Sequence, residues 1–194
     1  MHSVELQISA FQREYLAEIV IAQTNLLGLA RSVPEDSYGW RPAKDARSFS
    51  EILVHIAVAH YSLLHRAGVR AHEVMDMYGD LEGSLAAQLV AAIRKNIAME
   101  KDITGKAEVI DLLKHSFGAV TQAFTTASDE QFETALHFLD QETTVRRVYL
   151  RILAHSHEHM GQAVAYARCM GYKVPWPDPL DKLELLAAAG DSRS

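Results

Sequence analysis

The chain has 194 residues, of which 48% are hydrophobic and 23% charged, and its formal net charge is −6. This length and balance are typical of one globular domain that buries a core of its own. The negative charge argues against general binding to nucleic acids or anionic membranes, because both favour a basic surface. We therefore expect neither nucleic acid nor membrane as a partner.

The sequence carries one cysteine, Cys169. It cannot form an internal disulfide, which favours a reducing compartment, and we expect it to be a buried, inert thiol. The N-terminus has no basic segment followed by an apolar one, and no window is apolar for long enough to span a bilayer. These observations predict a soluble, cytoplasmic protein.

The first half of the chain predicts two long helices. Apolar residues recur at helical spacing from Val4 to Ser32, and Pro34 ends this helix. A structured loop follows, in which we expect Trp40 to anchor into the core. Ser48 and Glu51 have the spacing of a capping box, so the second helix begins there and runs to about Ala67.

The second half predicts further helices over residues 82–103, 104–128 and 144–170, the last ending at Gly171. Residues 132–144 alternate weakly, which indicates a short extended piece. The expected fold class is all-α, a four-helix bundle with an extra short helix as an option. We expect this domain to cover residues 1–179, followed by a short helix and polar tail over residues 180–194.

The most informative motif is His155-Ser-His-Glu-His159 in the last helix. His155 and His159 lie one helical turn apart, so both imidazoles can reach one metal ion, whereas His157 points to nearly the opposite side. His55 lies beside the apolar stripe of its own helix, in the way that the His155/His159 pair lies beside the stripe of the last helix. Alone, each histidine is more typical of packing than of ligation; the matching positions beside the two stripes allow them to meet in a cleft that could hold a metal ion.

Other polar residues have two interpretations each. Glu51 is either only the partner in the capping box, which we favour, or a residue that orients His55. Gln162 and Tyr166 either line a pocket or simply pack. Glu158 faces away from the histidine pair, and His60 falls on the core stripe, where a hydrogen-bonded core histidine is the expectation.

Taken in order, Trp40-Arg41-Pro42, Arg47-Ser48 opening a helix with His55, and His155-x-x-x-His159-x-Gly161-Gln162 resemble the DinB/YfiT-like family. The resemblance implies a four-helix bundle, commonly a homodimer, in which His55, His155 and His159 hold a divalent metal ion. Met160 departs from the arginine that family members often carry before Gly-Gln.

Such a site would leave the ion an open position, at which a bound water or thiol loses its proton near neutral pH. The resemblance thus implies an enzyme acting on a small-molecule substrate, as a hydrolase or as a transferase that uses a low-molecular-weight thiol. The alternative is a non-catalytic metal-binding stress-response dimer. Nitrogen ligands suit zinc or nickel best, and also iron or copper.

Overall fold

The computed structural model describes residues 9–138, 141–177, 180, 183 and 184. This part of the chain folds into seven α-helices and one β-hairpin, with a 3-10 turn at Glu35–Ser37 after the first helix. In chain order the elements are α1 (Ala10–Ser32), α2 (Phe49–Arg66), α3 (His72–Tyr78), α4 (Leu85–Asp102), α5 (Lys106–Thr126), α6 (Asp129–Phe132), β1 (Ala135–Phe138), β2 (Gln141–Thr144) and α7 (Val145–Cys169).

Four long helices, α1, α2, α5 and α7, form the bundle. Helices α1 and α2 each pack against both α5 and α7, so α5 and α7 lie between them. The side chains buried among these helices make one hydrophobic core. The prediction of an all-α four-helix bundle is confirmed.

Helix α2 lies at the centre of the molecule, packed against α4, α5 and α7. The predicted capping box begins it: the Ser48 hydroxyl accepts from the amide of Glu51, and a Glu51 carboxylate oxygen accepts from the amide of Ser48 at 2.8 Å. Both groups are buried, so this cap satisfies amides that water cannot reach. The start of α2 is therefore fixed, and with it the position of His55.

The loop before α2 is held to the core at both ends. The Tyr38 hydroxyl donates to the carbonyl of Ala30 at 2.6 Å, and the amide of Phe49 donates to the carbonyl of Trp40 at 2.9 Å. The Trp40 ring packs edge-on against Tyr166, with 5.3 Å between centroids. Trp40 therefore joins the loop to α7, in agreement with the expected anchor.

The extended piece predicted over residues 132–144 is a hairpin, in which β1 and β2 pair antiparallel. Helix α7 follows it directly and ends at Cys169, and Gly171 has a φ of 87°. A positive φ is easily adopted only by glycine, so Gly171 lets the chain turn away from the end of the helix. The predicted end of the last helix is confirmed.

Helix α4 buries two polar side chains and leaves some of its apolar ones exposed. Its buried residues are Asn96 and Glu100, whereas Val90 and Ile93 are about half exposed. Met99 of the same helix is partly buried against the core, and in the bundle the helix packs chiefly on α2. Buried hydrogen bonds and apolar packing therefore both set its position.

Some expectations fall at the ends of the chain. Helix α1 begins at Ala10 with Ser9 as its N-cap, and the predicted stretch from Val4 to Ile8 lies outside the described residues. Of the segment 180–194, only residues 180, 183 and 184 are described, so its helix and tail stay predictions. Cys169 is exposed, so the expectation of a buried thiol is wrong. No described helix is long and apolar enough to cross a membrane.

His60 is a fully buried histidine between two serine hydroxyls. Its Nδ1 lies 3.0 Å from the Ser116 Oγ and its Nε2 lies 2.8 Å from the Ser156 Oγ. The expected hydrogen-bonded core histidine is thus present, linking α2 to α5 and α7. Burial lowers the pKa of His60 to about 3, because the charged imidazolium would lose its hydration in the core.

We predict that His60 makes the fold sensitive to acid. Its pKa is lower in the folded than in the unfolded chain, so the associated stability is complete above about pH 6.5 and falls as the pH drops toward 3. In urea titrations between these values, His60→Gln should flatten the pH dependence of the unfolding free energy by up to about 1.4 kcal/mol per pH unit. The exposed control His115→Gln should keep the parent slope, and an unchanged slope in His60→Gln would contradict the prediction.

Candidate metal centre

Three histidines meet where α2 packs against α7. His55 is in the second turn of α2, and His155 and His159 follow one another on the facing side of α7. One ring nitrogen from each lies within 4.8 Å of the other two. The ring centroids are 4.4 to 4.9 Å apart. The structure therefore brings together the three residues that the sequence singled out, although 100 positions separate His55 from His155.

The spacing of the nitrogens suits one metal ion. The Nε2 atoms of His55 and His155 are 3.1 Å apart. Two ligand nitrogens at the usual zinc distance are roughly 3.3 Å apart in a tetrahedral site. Three imidazoles and no carboxylate or thiolate make a donor set that fits a divalent first-row ion.

His55 is oriented by a buried carboxylate. Its Nδ1 lies 2.7 Å from the Oε1 of Glu100, and the Nε of Arg47 donates to the Oε2 of Glu100 at 2.6 Å. Burial alone would raise the pKa of Glu100, but the hydrogen bonds from His55 and Arg47 outweigh it and the pKa is lowered. The carboxylate is ionised and can only accept, so the Nδ1 of His55 carries the proton. The lone pair of His55 then lies on Nε2, which faces the other histidines.

The other two histidines have different surroundings. The Nδ1 of His159 donates to the Oε1 of Gln162 at 2.9 Å, and the Gln162 amide donates to the hydroxyl of Tyr166. This leaves the Nε2 of His159 as its free ligand atom. The Nδ1 of His155 is buried without a hydrogen-bond partner among the described residues, so no carboxylate or amide fixes the tautomer of this ring.

Two of the three imidazoles lie where burial disfavours the charged form. Burial lowers the pKa of His155 to about 2, and the neighbouring His159 and His55 add to this effect. Burial also lowers the pKa of His159, with a contribution from the positive charge of Arg47. Neutral imidazoles retain the lone pair that a metal ion needs.

The structure also decides the open interpretations of the nearby residues. Glu51 is a cap partner, held in addition by Arg41 and Lys101, and the carboxylate that orients His55 is Glu100. Gln162 touches the site through His159, whereas Glu158 is exposed and paired with Arg151.

Glu100 was missed because nothing in its own helix distinguishes it. It lies in an Ala- and Leu-rich segment, 45 positions from His55, and no motif links the two. Only its unexpected burial on α4 reveals the role, and burial of one carboxylate cannot be read from a sequence.

Comparison with known proteins agrees with this geometry. The sequence profile of the DinB superfamily matches residues 18–163, a range that contains all three histidines and Glu100. No curated protein matches the chain.

Several solved structures share the fold. A DinB-like protein from Bacillus cereus ATCC 10987 superposes with a TM-score of 0.61 and 15% identity, covering 86% of this chain and 97% of that protein. The DinB-like protein YjoA from Bacillus subtilis gives 0.59 and 15%, covering 84% and 96%.

A third structure, YfiT from Bacillus subtilis, gives a TM-score of 0.59 and 13% identity, covering 89% of this chain and 95% of that protein. It is described as "a probable metal-dependent hydrolase with an unusual four-helix bundle topology". At such identities these likenesses show the fold, and the profile shows the family. The profile covers most of the bundle and all three of the converging histidines, and the chain therefore belongs to the DinB superfamily.

Proposed function

We propose that this protein is a divalent-metal-dependent enzyme that acts on a small substrate through His55, His155 and His159. The convergence of three imidazoles from two helices is the observation that carries the proposal. The description of YfiT as a metal-dependent hydrolase supports it, because the two proteins share a fold.

The donor set indicates what the metal would contribute. Three neutral imidazoles would leave a divalent ion its full charge and an open position, where it acts as a Lewis acid and lowers the pKa of a water or thiol. Zinc and nickel suit these ligands best, and iron and copper also fit.

The chain's own residues would keep the site ready to bind. Glu100 holds the Nδ1 proton of His55, so the Nε2 lone pair of that ring stays directed to the centre. The Oε1 of Gln162 likewise accepts from the Nδ1 of His159, which leaves the Nε2 lone pair of His159 directed to the centre. Arg47 keeps Glu100 ionised, and thereby keeps the tautomer of His55 fixed.

Three carboxylates near the histidines are already held by ion pairs. Glu51 is bound by Arg41 and Lys101, Glu100 by Arg47 and His55, and Glu158 by Arg151. The nucleophile would therefore lose its proton without help from these carboxylates. A thiol, with an ordinary pKa near 8.5, needs less help than water, so thiol transfer stands beside hydrolysis as a reaction of this site.

We predict that each of His55→Ala, His155→Ala and His159→Ala loses most of the bound zinc or nickel and remains helical. Each change removes one of three ligands and leaves the bundle core intact. Elemental analysis and circular dichroism after metal loading measure both effects. The control His157→Ala, on the same helix but outside the cluster, should retain the metal. Full occupancy in His55→Ala would refute the three-ligand assignment.

We predict that Glu100→Gln weakens metal affinity about 10- to 100-fold, the usual effect of losing a partner that orients a ligand. An amide no longer fixes the proton on the Nδ1 of His55. Competition with a chromophoric chelator measures the affinity. Glu158→Gln removes an exposed carboxylate from α7 and should change nothing; equal affinities for the two variants would contradict the role of Glu100.

We predict activity of the metal-loaded protein in a panel of esters, electrophiles and low-molecular-weight thiols, and its loss after chelation. Loss of an electrophile only when thiol is present identifies a transferase. Ester cleavage without thiol identifies a hydrolase. Metal binding with silence across the panel would overturn the enzyme proposal and favour a non-catalytic metal-binding protein.

A further inference from the structure

A cleft of about 560 Å³ opens beside the three histidines. The loop before α2, the first turn of α2, the end of α4 and one residue of α7 form its walls. Its volume is within the range of small-molecule sites. The lining residues are Arg41, Lys44, Asp45, Ala46, Arg47, Glu51, Ile97, Glu100, Lys101 and Gln162.

Two residues of the cleft wall also contact histidines of the three-histidine site. Glu100 contacts both the cleft and His55, and Gln162 contacts both the cleft and His159. A molecule that reaches the histidines from this side would therefore lie along the walls of the cleft.

The charges in the walls do not cancel. Oε1 of Glu51 accepts from both Arg41 and Lys101, at 3.2 and 2.7 Å. One carboxylate thus meets two cations, and one positive charge is left over. Glu100 and Arg47 form a separate pair, whose charges balance.

Lys44 and Asp45 add one charge of each sign and make none of the described ion pairs. The walls therefore carry four cations and three anions, on a chain whose formal net charge is −6. A divalent ion at the neutral histidines would increase the positive potential further.

We propose that this cleft binds the anionic group, a carboxylate or a phosphate, of a small substrate. The inference rests on the proposed function only in placing the reacting end of that substrate at the three histidines. It assigns the opposite end of the substrate to Lys44 and Lys101.

The two lysine side chains can reorient toward a ligand more freely than the two arginine side chains. Arg41 and Arg47 neutralise buried carboxylates, and Arg41 also donates to the carbonyl of Ala46. They form a fixed positive wall. The side chain of Lys101 is 58% exposed and Lys44 is also exposed, so both can turn toward a ligand.

The test measures binding to the metal-free and the zinc-loaded full-length chain by calorimetry. The probes are succinate and inorganic phosphate, with succinamide as a neutral probe of matched size. The variants are Lys44→Ala, Lys44→Glu and the double variant Lys44→Ala/Lys101→Ala. Lys114→Ala, which removes an exposed lysine of α5 that does not line the cleft, is the control. Circular dichroism checks the fold of each variant.

We expect succinate or phosphate to bind the metal-free protein, with an affinity that falls as salt is added. The double variant should bind about tenfold more weakly, Lys44→Glu should also bind more weakly, and Lys114→Ala should bind as the parent does. Succinate binding alone would identify a carboxylate ligand, and phosphate binding alone a phosphate ligand.

Three results would overturn the proposal: equal affinity for succinate and succinamide, anion affinities unchanged in both the double variant and Lys44→Glu, or no anion binding at millimolar concentration. The outcome is separate from that of the enzyme proposal. Lysine-dependent anion binding by a protein that is silent in the reaction panel would retain the cleft and reject the catalysis. Catalysis by a protein whose anion binding does not depend on the two lysines would retain the enzyme proposal and reject the anion-binding cleft.

Discussion

The packing of α2 against α7 is the constraint on which the candidate site depends. Neither helix carries enough ligands by itself, because the pair on α7 supplies two nitrogens and α2 supplies the third. The same contact buries His60 between Ser116 and Ser156, one and a half turns along α2 from His55. A shift of either helix would therefore disturb the three ligands and the buried hydrogen bonds together.

Around this contact, the charged residues form two groups, one of which ends at a histidine and the other at the start of α2. Arg47 binds Glu100, and Glu100 binds His55. Arg41 and Lys101 bind Glu51, which also caps α2. Each of these two buried carboxylates has its own cationic partners, so neither is left as an unpaired charge in the interior. The same residues shape the cleft and give its walls their excess of positive charge.

The sequence predicted what is encoded by local pattern. The capping box at Ser48, the end of α7 before Gly171 and the pairing of His155 with His159 each depend on residues a few positions apart. The bundle follows from the apolar stripes. The link between Glu100 and His55 could not be predicted, because the helix that carries Glu100 is apolar on its outer side and gives no sign of which carboxylate turns inward. Cys169 shows the opposite error: burial is the usual state of a free cysteine, but this one lies at the end of a helix and is exposed. The homodimer, the metal's identity and the cytoplasmic location stay predictions.

Helix α4 buries Asn96 and Glu100, whose side chains are hydrogen-bonded to neighbouring elements, and these bonds limit how the helix can slide. Apolar contacts tolerate displacement along a helix axis, because one methyl group can replace another at a small cost in free energy. Directional bonds do not: a slip of one turn, about 5.4 Å, would move Glu100 away from His55 and bring Asn96 toward its place. The hydrogen bonds of α4 therefore permit one axial position of this helix against α2. The packing of α4 in this position and the orientation of His55 therefore occur together.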